Sequence, residues 1–267
     1  MIVFLVEDIK ATTSVALFHA LAKKKIECIV ITEPSDTCIS LGYFDNANRF
    51  LDFNYCKIHN IPIIRRYTGG GTVLLHKDQI FYQFVFSKSN KTIPFKMENV
   101  YKYFSNIVID VYKNLGINVS YKPIADIVLN DKKISGQGAG DIENMLVFVG
   151  NILMDFDFDT MANVVSYIKD KESFKNMLRE HITTIRKEGL NIGKNDIIKA
   201  FLDVLKKKFD KLETIPLPNE ILELTKEIEK ELTSWDVITE DTGKKHEAFK
   251  IKEDYFIDPI TLRKIDL

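Results

Sequence analysis

Ile61-Pro62-Ile63-Ile64-Arg65-Arg66-Tyr67-Thr68-Gly69-Gly70-Gly71-Thr72-Val73 is the stretch on which the reading of this chain turns. Ile61 to Arg66 is an apolar edge strand, since Pro62 offers no N–H and is tolerated at a sheet margin. It runs into three successive glycines, whereas an ordinary hairpin uses one or two. Without Cβ atoms, their main-chain N–H groups can approach a ligand closely and form an anion-binding concavity, and the two guanidinium groups add charge and bidentate donors. The pattern points to recognition of a phosphate, a carboxylate or an acyl phosphate, with a purely structural loop as the alternative.

Upstream, apolar residues recur at helical spacing from Ser14 to Ala22, and the β-branched run Ile26 to Thr32 stops at Glu33-Pro34, a helix followed by a strand. Ile39 to Tyr43 reads as a second strand and Arg49 to Asn60 as a helix. Downstream, Thr72 to Leu75 and Ile80 to Phe86 read as a hairpin. Val100 to Leu115 is an amphipathic helix with Gly116 just past its end, where a left-handed residue is favoured. Ile117 to Tyr121, Ala125 to Leu129, Lys133 to Ser135 and Met145 to Leu153 are further short strands separated by Asn-Asp or Gly turns.

The expected fold class is therefore α+β, a mixed central β-sheet flanked by helices. After Asp159 the character turns helical. Asn195 stands as an N-cap before Ile197, Ile198, Phe201, Leu202, Leu205 and Phe209 on one face, Pro216 and Pro218 break that helix, and Glu220 to Leu232 forms another. Ser234-Trp235 then leads to a polar tail containing Gly243, Lys244 and Lys245. This divides the chain into a main domain over 1–190 and a small, mainly helical C-terminal region over 191–267, too short to be an independently stable domain and expected to pack on the first.

Composition removes several classes of function. The apolar fraction is 45% and no segment approaches the ~18 apolar residues of a membrane span, so neither a membrane role nor a disordered chain is expected. A net charge of −1 leaves no broad basic face for nucleic acid, and the clusters Lys23 to Lys25 and Lys206 to Lys208 read as solvated helix faces. Met1 to Asp8 lacks a basic leader and a cleavage site. Three cysteines without C-x-x-C spacing suggest neither a disulfide framework nor a thiolate zinc site, which fits a reducing cytoplasm. His19, His59, His76, His181 and His246 show no i+3 or i+4 pairing, so no metal site built by the protein alone is expected.

A second candidate lies at Asn130-Asp131-Lys132-Lys133-Ile134-Ser135-Gly136-Gln137-Gly138-Ala139-Gly140, where a lysine emerges beside a glycine-rich turn. A lysine there can offer a fixed charge to a phosphate or a developing oxyanion, although the stretch taken alone reads as a surface hairpin. Neither segment carries G-x-x-x-x-G-K-[ST], and Gly136 to Gly140 has the wrong third spacing for a dinucleotide fingerprint, which argues against a P-loop enzyme.

Together, in this order, the two segments resemble the lipoate branch of the biotin and lipoate protein ligase family. The resemblance rests on Arg65-Arg66-Tyr67-Thr68-Gly69-Gly70-Gly71-Thr72-Val73, on Asp126-Ile127 and on Lys133-Ile134-Ser135-Gly136, and covers Ile26 to Asp157 best. It implies activation of lipoate by ATP, with Mg2+ accompanying the nucleotide, to lipoyl-adenylate, then transfer to a lysine of a lipoyl-domain acceptor protein, assisted by a separate accessory subunit. By the same resemblance Lys133 is the catalytic residue, contacting the carboxyl group and the α-phosphate. Arg66, Gly71, Thr72, Val73 and Leu74 join it around ATP and the adenylate. Arg65, Thr68, Gly69, Gly70, His76 and Gly136 join it around lipoate, and Asp126 stands on the phosphate and magnesium side.

The chain departs from the family pattern after the glycines, where His76-Lys77-Asp78-Gln79 stands, and at Phe148-Val149-Gly150-Asn151, which keeps a glycine but not the family's histidine. Transferases of the same fold carry the acyl group on a cysteine beyond the lysine segment, and no cysteine follows Cys56 here. An adenylate route requires no protein nucleophile, so the ligase is the expected activity, with a lipoyl or octanoyl transferase, or a catalytically silent lipoate-binding relative, as alternatives. Biotin ligases are set aside because their Gly-Arg-Gly-Arg type loop does not stand at residues 65 to 73.

Overall fold

A computed structural model describes residues 1–166, 168–243, 248–258 and 261–265. Lys244 and Lys245, which the sequence placed in the tail, and His246 lie outside them. The chain opens with β1 (Ile2–Ile9), α1 (Ala11–Lys23), β2 (Cys28–Pro34) and β3 (Cys38–Leu41). Two short helices follow, α2 (Ala47–Phe50) and α3 (Phe53–Ile58), then β4 (Ile63–Arg65), β5 (Val73–Leu75) and β6 (Gln79–Ser87). The centre of the sequence supplies α4 (Met97–Asn114), β7 (Ser120–Lys122), β8 (Asp126–Leu129), β9 (Lys132–Ile142) and β10 (Met145–Leu153). Next come α5 (Phe158–Val164), α6 (Lys171–His181), α7 (Lys194–Lys208), β11 (Glu213–Thr214), α8 (Asn219–Leu232) and α9 (Trp235–Thr239), before β12 (Phe249–Lys252), β13 (Tyr255–Ile257) and β14 (Lys264–Ile265).

Eight strands form a mixed sheet in the order β11-β1-β2-β6-β10-β9-β8-β7, so the α+β class with a central mixed sheet holds. Alternation along the strands sends side chains to opposite faces. Ile29, Ile31, Tyr82, Phe84, Phe86 and Phe148 pack under α4 and α7, whereas Val30, Phe81, Val85, Val147 and Val149 face α1 and α8. Burial on both faces explains why β6 and β10 read as unbroken apolar runs. α1 is buried from Ala11 to Ala22 because α8 covers the side turned away from the sheet, where Glu229 accepts from Thr13 Oγ1 at 2.7 Å.

A second sheet, β4-β3-β5, stands over the α1 face and carries the glycine loop between β4 and β5. The expected hairpin of Thr72 to Leu75 with Ile80 to Phe86 is therefore not formed: β5 pairs with β3, and β6 pairs with β2 and β10 in the main sheet. The expected single helix from Arg49 to Asn60 is two, because Leu51 is extended and Asp52 caps a new turn by accepting from Tyr55 N at 2.8 Å. The α7 helix begins one residue before the expected Asn195 cap, with Asp196 accepting from Gly193 N at 2.8 Å.

The C-terminal part reaches every core. α7 packs on α4, α8 on α1, and Glu213–Thr214 adds a parallel edge strand to β1. The stretch read as a polar tail contains a three-stranded sheet, β12-β13-β14, which docks through Phe249, Ile251 and Ile257 on a third core shared with α5 and α6. No described helix is long and apolar enough to cross a membrane.

Candidate active site

The segment expected to be a glycine-rich turn, Gly136 to Gly140, is instead the middle of β9, hydrogen-bonded to β10 from Gln137 to Ile142. Alternate glycines on one strand face leave a strip without side chains, and the glycine loop lies along it. Gly69 N donates to Ala139 O at 2.9 Å, and a Cβ on Gly138 would stand 2.5 Å from Gly69 O, closer than Cβ atoms approach a carbonyl. Gly70 takes φ +92°, a left-handed conformation that favours glycine.

The two arginines share the task of shaping this loop. Arg65 is fully buried, and all its guanidinium nitrogens donate to main-chain carbonyls: Nε to Val237 at 2.8 Å, Nη2 to Ile238 at 2.6 Å, and Nη1 to Tyr43 at 2.9 Å and Asp45 at 3.0 Å. It ties α9 to the Gly42–Asp45 turn and is not among the residues that line the cleft between loop and sheet, where the sequence reading had expected it beside lipoate. Arg66 donates through Nη1 to Ser40 O at 2.7 Å and through Nη2 to Gly69 O at 3.1 Å and Gly71 O at 2.7 Å, while its side chain lines the cleft. Burial lowers the pKa of both, opposed chiefly by Asp45, and guanidinium stays protonated across the accessible range.

Between loop and sheet runs a cleft enclosing about 990 Å3, part of it open to solvent. Arg66, Gly70, Gly71, Thr72, Val73 and Leu74 form one wall; Asp126, Lys133 and Gly136 stand on the other. Lys133 Nζ lies 2.9 Å from Asp126 Oδ1, and its chain crosses Gly136, where a Cβ would meet Lys133 Cε at 2.8 Å. Asp126 is buried, with its other oxygen accepting from Glu253 N at 2.7 Å. The ammonium thus has a fixed carboxylate behind it and the cleft before it. Thr68 and Gly69 lie behind the wall: Thr68 O accepts from Tyr43 N at 3.1 Å, and both residues position the loop without lining the cleft. His76 is also outside, buried against Phe156, its Nδ1 accepting from Asp78 N at 3.2 Å and its pKa lowered by burial.

Several lining residues escaped the sequence reading. Asn151 accepts from Gly136 N at 2.9 Å and donates to Gln79 Oε1 at 2.9 Å, and Gln79 donates to Leu74 O at 3.0 Å, a bridge from the lysine strand to the loop. Asn151 follows the Gly150 that marked the missing histidine, so the position was visible but its role was not. Gly150 is required because Tyr82 lies across it, with Tyr82 Oη 3.1 Å from Ser135 Oγ and its pKa pushed up to about 12 by burial. Phe249, Lys250 and Ile251 close one end of the cleft from β12. The alternation Phe249-Lys250-Ile251-Lys252 was a period-two strand signal within the run read as tail.

None of the three cysteines lines the cleft: Cys28 and Cys38 are buried in β2 and β3, Cys56 in α3, and burial raises every thiol, Cys56 to about 11. Among the described residues no group of three or more His, Cys, Asp or Glu could hold a metal ion.

A glycine loop seated on a glycine strip faces a carboxylate-backed lysine across a largely apolar cleft, an arrangement with the charge to take an anionic group and the apolar walls to take a hydrocarbon body. The model of the lipoyl protein ligase A/B catalytic domain matches residues 11–209, and the chain belongs to that family. The chain is 26% identical over 212 residues to octanoyltransferase LipM of Oceanobacillus iheyensis, covering 73% of this chain and 76% of that one. It is 24% identical over 200 residues to the probable lipoate-protein ligase A of Mycoplasma pneumoniae, covering 72% of this chain but only 56% of that protein. In fold it is similar to a bipartite lipoate protein ligase of Thermoplasma acidophilum, with a TM-score of 0.78 at 17% identity, over 91% of this chain and 97% of the other. It is also similar to a lipoate-protein ligase A solved with ATP, with a TM-score of 0.73 at 17% identity over 89% and 97%.

Proposed function

We propose that the chain is an ATP-dependent lipoate-protein ligase that forms lipoyl-AMP and passes the lipoyl group to a lysine of a lipoyl-domain acceptor. The observation that carries this reading is the position of the three thiols: all are buried away from the cleft, while an ammonium stands in it. A thioester route needs a thiolate at the reacting carbon, whereas an adenylate route needs only positive charge and orientation. Lys133 holds the carboxylate and the α-phosphate together, Asp126 keeps its ammonium in place, and Arg66 sets the loop carbonyls so that Gly70, Gly71 and Thr72 flank the phosphate. A carboxylate oxygen of lipoate bonds to the α-phosphorus and pyrophosphate leaves; the acceptor amine then attacks the acyl carbon and AMP leaves. Magnesium would accompany the nucleotide, with Asp126 on the phosphate side of the site. The three unpaired cysteines are in keeping with a cytoplasmic setting.

Purified chain incubated with lipoate, ATP and an acceptor domain forms lipoyl-AMP and lipoylated acceptor, and Lys133→Ala lowers the rate by roughly 100-fold or more. Retained activity in Lys133→Ala overturns the assignment of that residue. A second reading, acyl transfer without ATP, is favoured by the likeness to LipM. It predicts modification of the acceptor from an acyl-carrier donor in the absence of nucleotide. The bipartite Thermoplasma neighbour supports the expectation of an accessory polypeptide, which full activity of this chain alone removes.

A further inference from the structure

Among the described residues, three cations line the cleft: Arg66, Lys133 and Lys250. Arg66 is committed to the carbonyls of Ser40, Gly69 and Gly71, and the charge of Lys133 is offset by Asp126 at 2.9 Å. A nucleoside triphosphate brings more negative charge than these two can meet. Lys250 is placed differently. Like Lys133 it has a carboxylate partner, but it projects from β12 and lines both the cleft and an adjoining chamber, which share Gly70, Gly71, Thr72 and Phe249; Asp45 and Glu253 also line that chamber. Its ammonium pairs with Glu253. Glu253 is itself anchored, Oε1 accepting from Ala125 N at 2.9 Å and its main-chain N donating to Asp126 Oδ2 at 2.7 Å. The two lysines thus stand at either end of one chain of contacts, Lys133 to Asp126 to Glu253 to Lys250.

We propose that Lys250 is the second phosphate-binding cation of the nucleotide site, taking the β- and γ-phosphates in the adjoining chamber while Lys133 holds the α-phosphate. The C-terminal sheet then completes, within the same chain, a site that the family-matched segment ending at residue 209 leaves short of positive charge. This rests on the ligase reading. As the carboxylate oxygen bonds to the α-phosphorus, the bond from that phosphorus to the bridging oxygen breaks and its electron pair departs with pyrophosphate. Charge therefore grows on the β side, where the Lys250 ammonium can meet it. Glu253 holds Lys250 until a phosphate oxygen replaces it as partner.

The test uses the full chain with Lys250→Met, Lys250→Arg and Glu253→Gln, reading ATP affinity by calorimetry, lipoate-dependent adenylate formation against ATP concentration, and transfer from preformed lipoyl-adenylate. Lys250→Met is expected to weaken ATP binding and raise its KM by about tenfold or more, the range for a charge-assisted hydrogen bond. The KM for lipoate and transfer from preformed adenylate stay unchanged, Lys250→Arg restores most of the affinity, and Glu253→Gln does not weaken it. Wild-type ATP affinity in Lys250→Met overturns the proposal. So does an equal loss in transfer from preformed adenylate, or a loss in Glu253→Gln matching that of Lys250→Met, since either marks a structural pair. If the unaltered chain binds ATP but neither makes adenylate nor transfers preformed lipoyl-adenylate, the ligase reading fails and the affinity comparison still decides Lys250; if it binds no ATP, both fail.

Discussion

The glycine loop and the glycine strand are equally rich in glycine, yet the residue type is needed for opposite reasons. In the loop, Gly70 supplies a left-handed turn and Gly71 an open face: nothing lies within 4 Å of where its Cβ would stand. In β9, Gly138 and Gly140 are in an ordinary extended strand, and they are glycine because the loop lies on them, with Tyr67 O 2.9 Å from a Cβ on Gly140. One region uses glycine to leave the cleft open, which in the proposed site admits the ligand, and the other uses it to admit the first region. A run of glycines beside a candidate binding residue is therefore not itself evidence of ligand contact.

The comparison breaks most readily at Gly138. In Gly138→Ala the methyl group meets a main-chain carbonyl, which cannot swing aside as a flexible side chain would, so the loop must lift from the strand. We expect a destabilisation of roughly 3 kcal/mol, the upper range for overpacking, together with loss of nucleotide affinity, because the loop that lines the cleft is displaced. Chemical denaturation of Gly138→Ala beside the unaltered chain measures the first and calorimetry the second. An unchanged midpoint would mean the loop is not clamped to β9.

His19 gives a smaller effect on the other side of the loop. It is buried in α1, its Nε2 accepts from Tyr67 N at 3.0 Å, and its Nδ1 is 3.0 Å from Val15 O, which requires the neutral ring. Burial, the largest cause, lowers its pKa from 6.5 to about 3. Between those values the unfolded chain binds a proton that the folded chain refuses. The contribution is complete above pH 6.5 and is lost as pH falls towards 3, at no more than roughly 1.4 kcal/mol per pH unit. Thermal unfolding from pH 7 to 5 should therefore show a shallower pH slope in His19→Gln than in the unaltered chain. Parallel slopes would show that the histidine prop does not hold the loop.

Much of this arrangement was legible before the structure. Lys133, Asp126, Gly70, Gly71, Thr72, Val73 and Leu74 all meet at the cleft, because each lies at a strand end or turn whose chemistry is local. What the sequence could not convey was the partner of each donor. Arg65 and Arg66 are neighbours of one type, and only the tertiary position of α9, more than 165 residues later, decides that Arg65 Nε spends itself on Val237. The false hairpin between Thr72 and Phe86 has the same origin. Proximity in sequence suggested pairing, but β5 finds a better-matched edge on β3. Asn151 and Lys250 were missed because a lone amide or a lysine in a charged run carries no local sign of facing a cleft.

Gly71→Ala is the smallest change and the sharpest on the distinction between the two regions. Its φ lies outside the left-handed region and its Cβ site is empty, so alanine fits the folded chain and restricts the unfolded one. Stability should hold or rise, by at most about 1 kcal/mol. Yet Gly71 lines both the cleft and the adjoining chamber, and the new methyl group occupies space that a phosphate approaching the loop would use. The expected outcome is an unchanged or higher Tm with a raised KM for ATP, the reverse of the coupled losses in Gly138→Ala. Were the Tm to fall in parallel with affinity, Gly71 would be another packing glycine, and the loop would owe its composition to the strand beneath it rather than to a ligand.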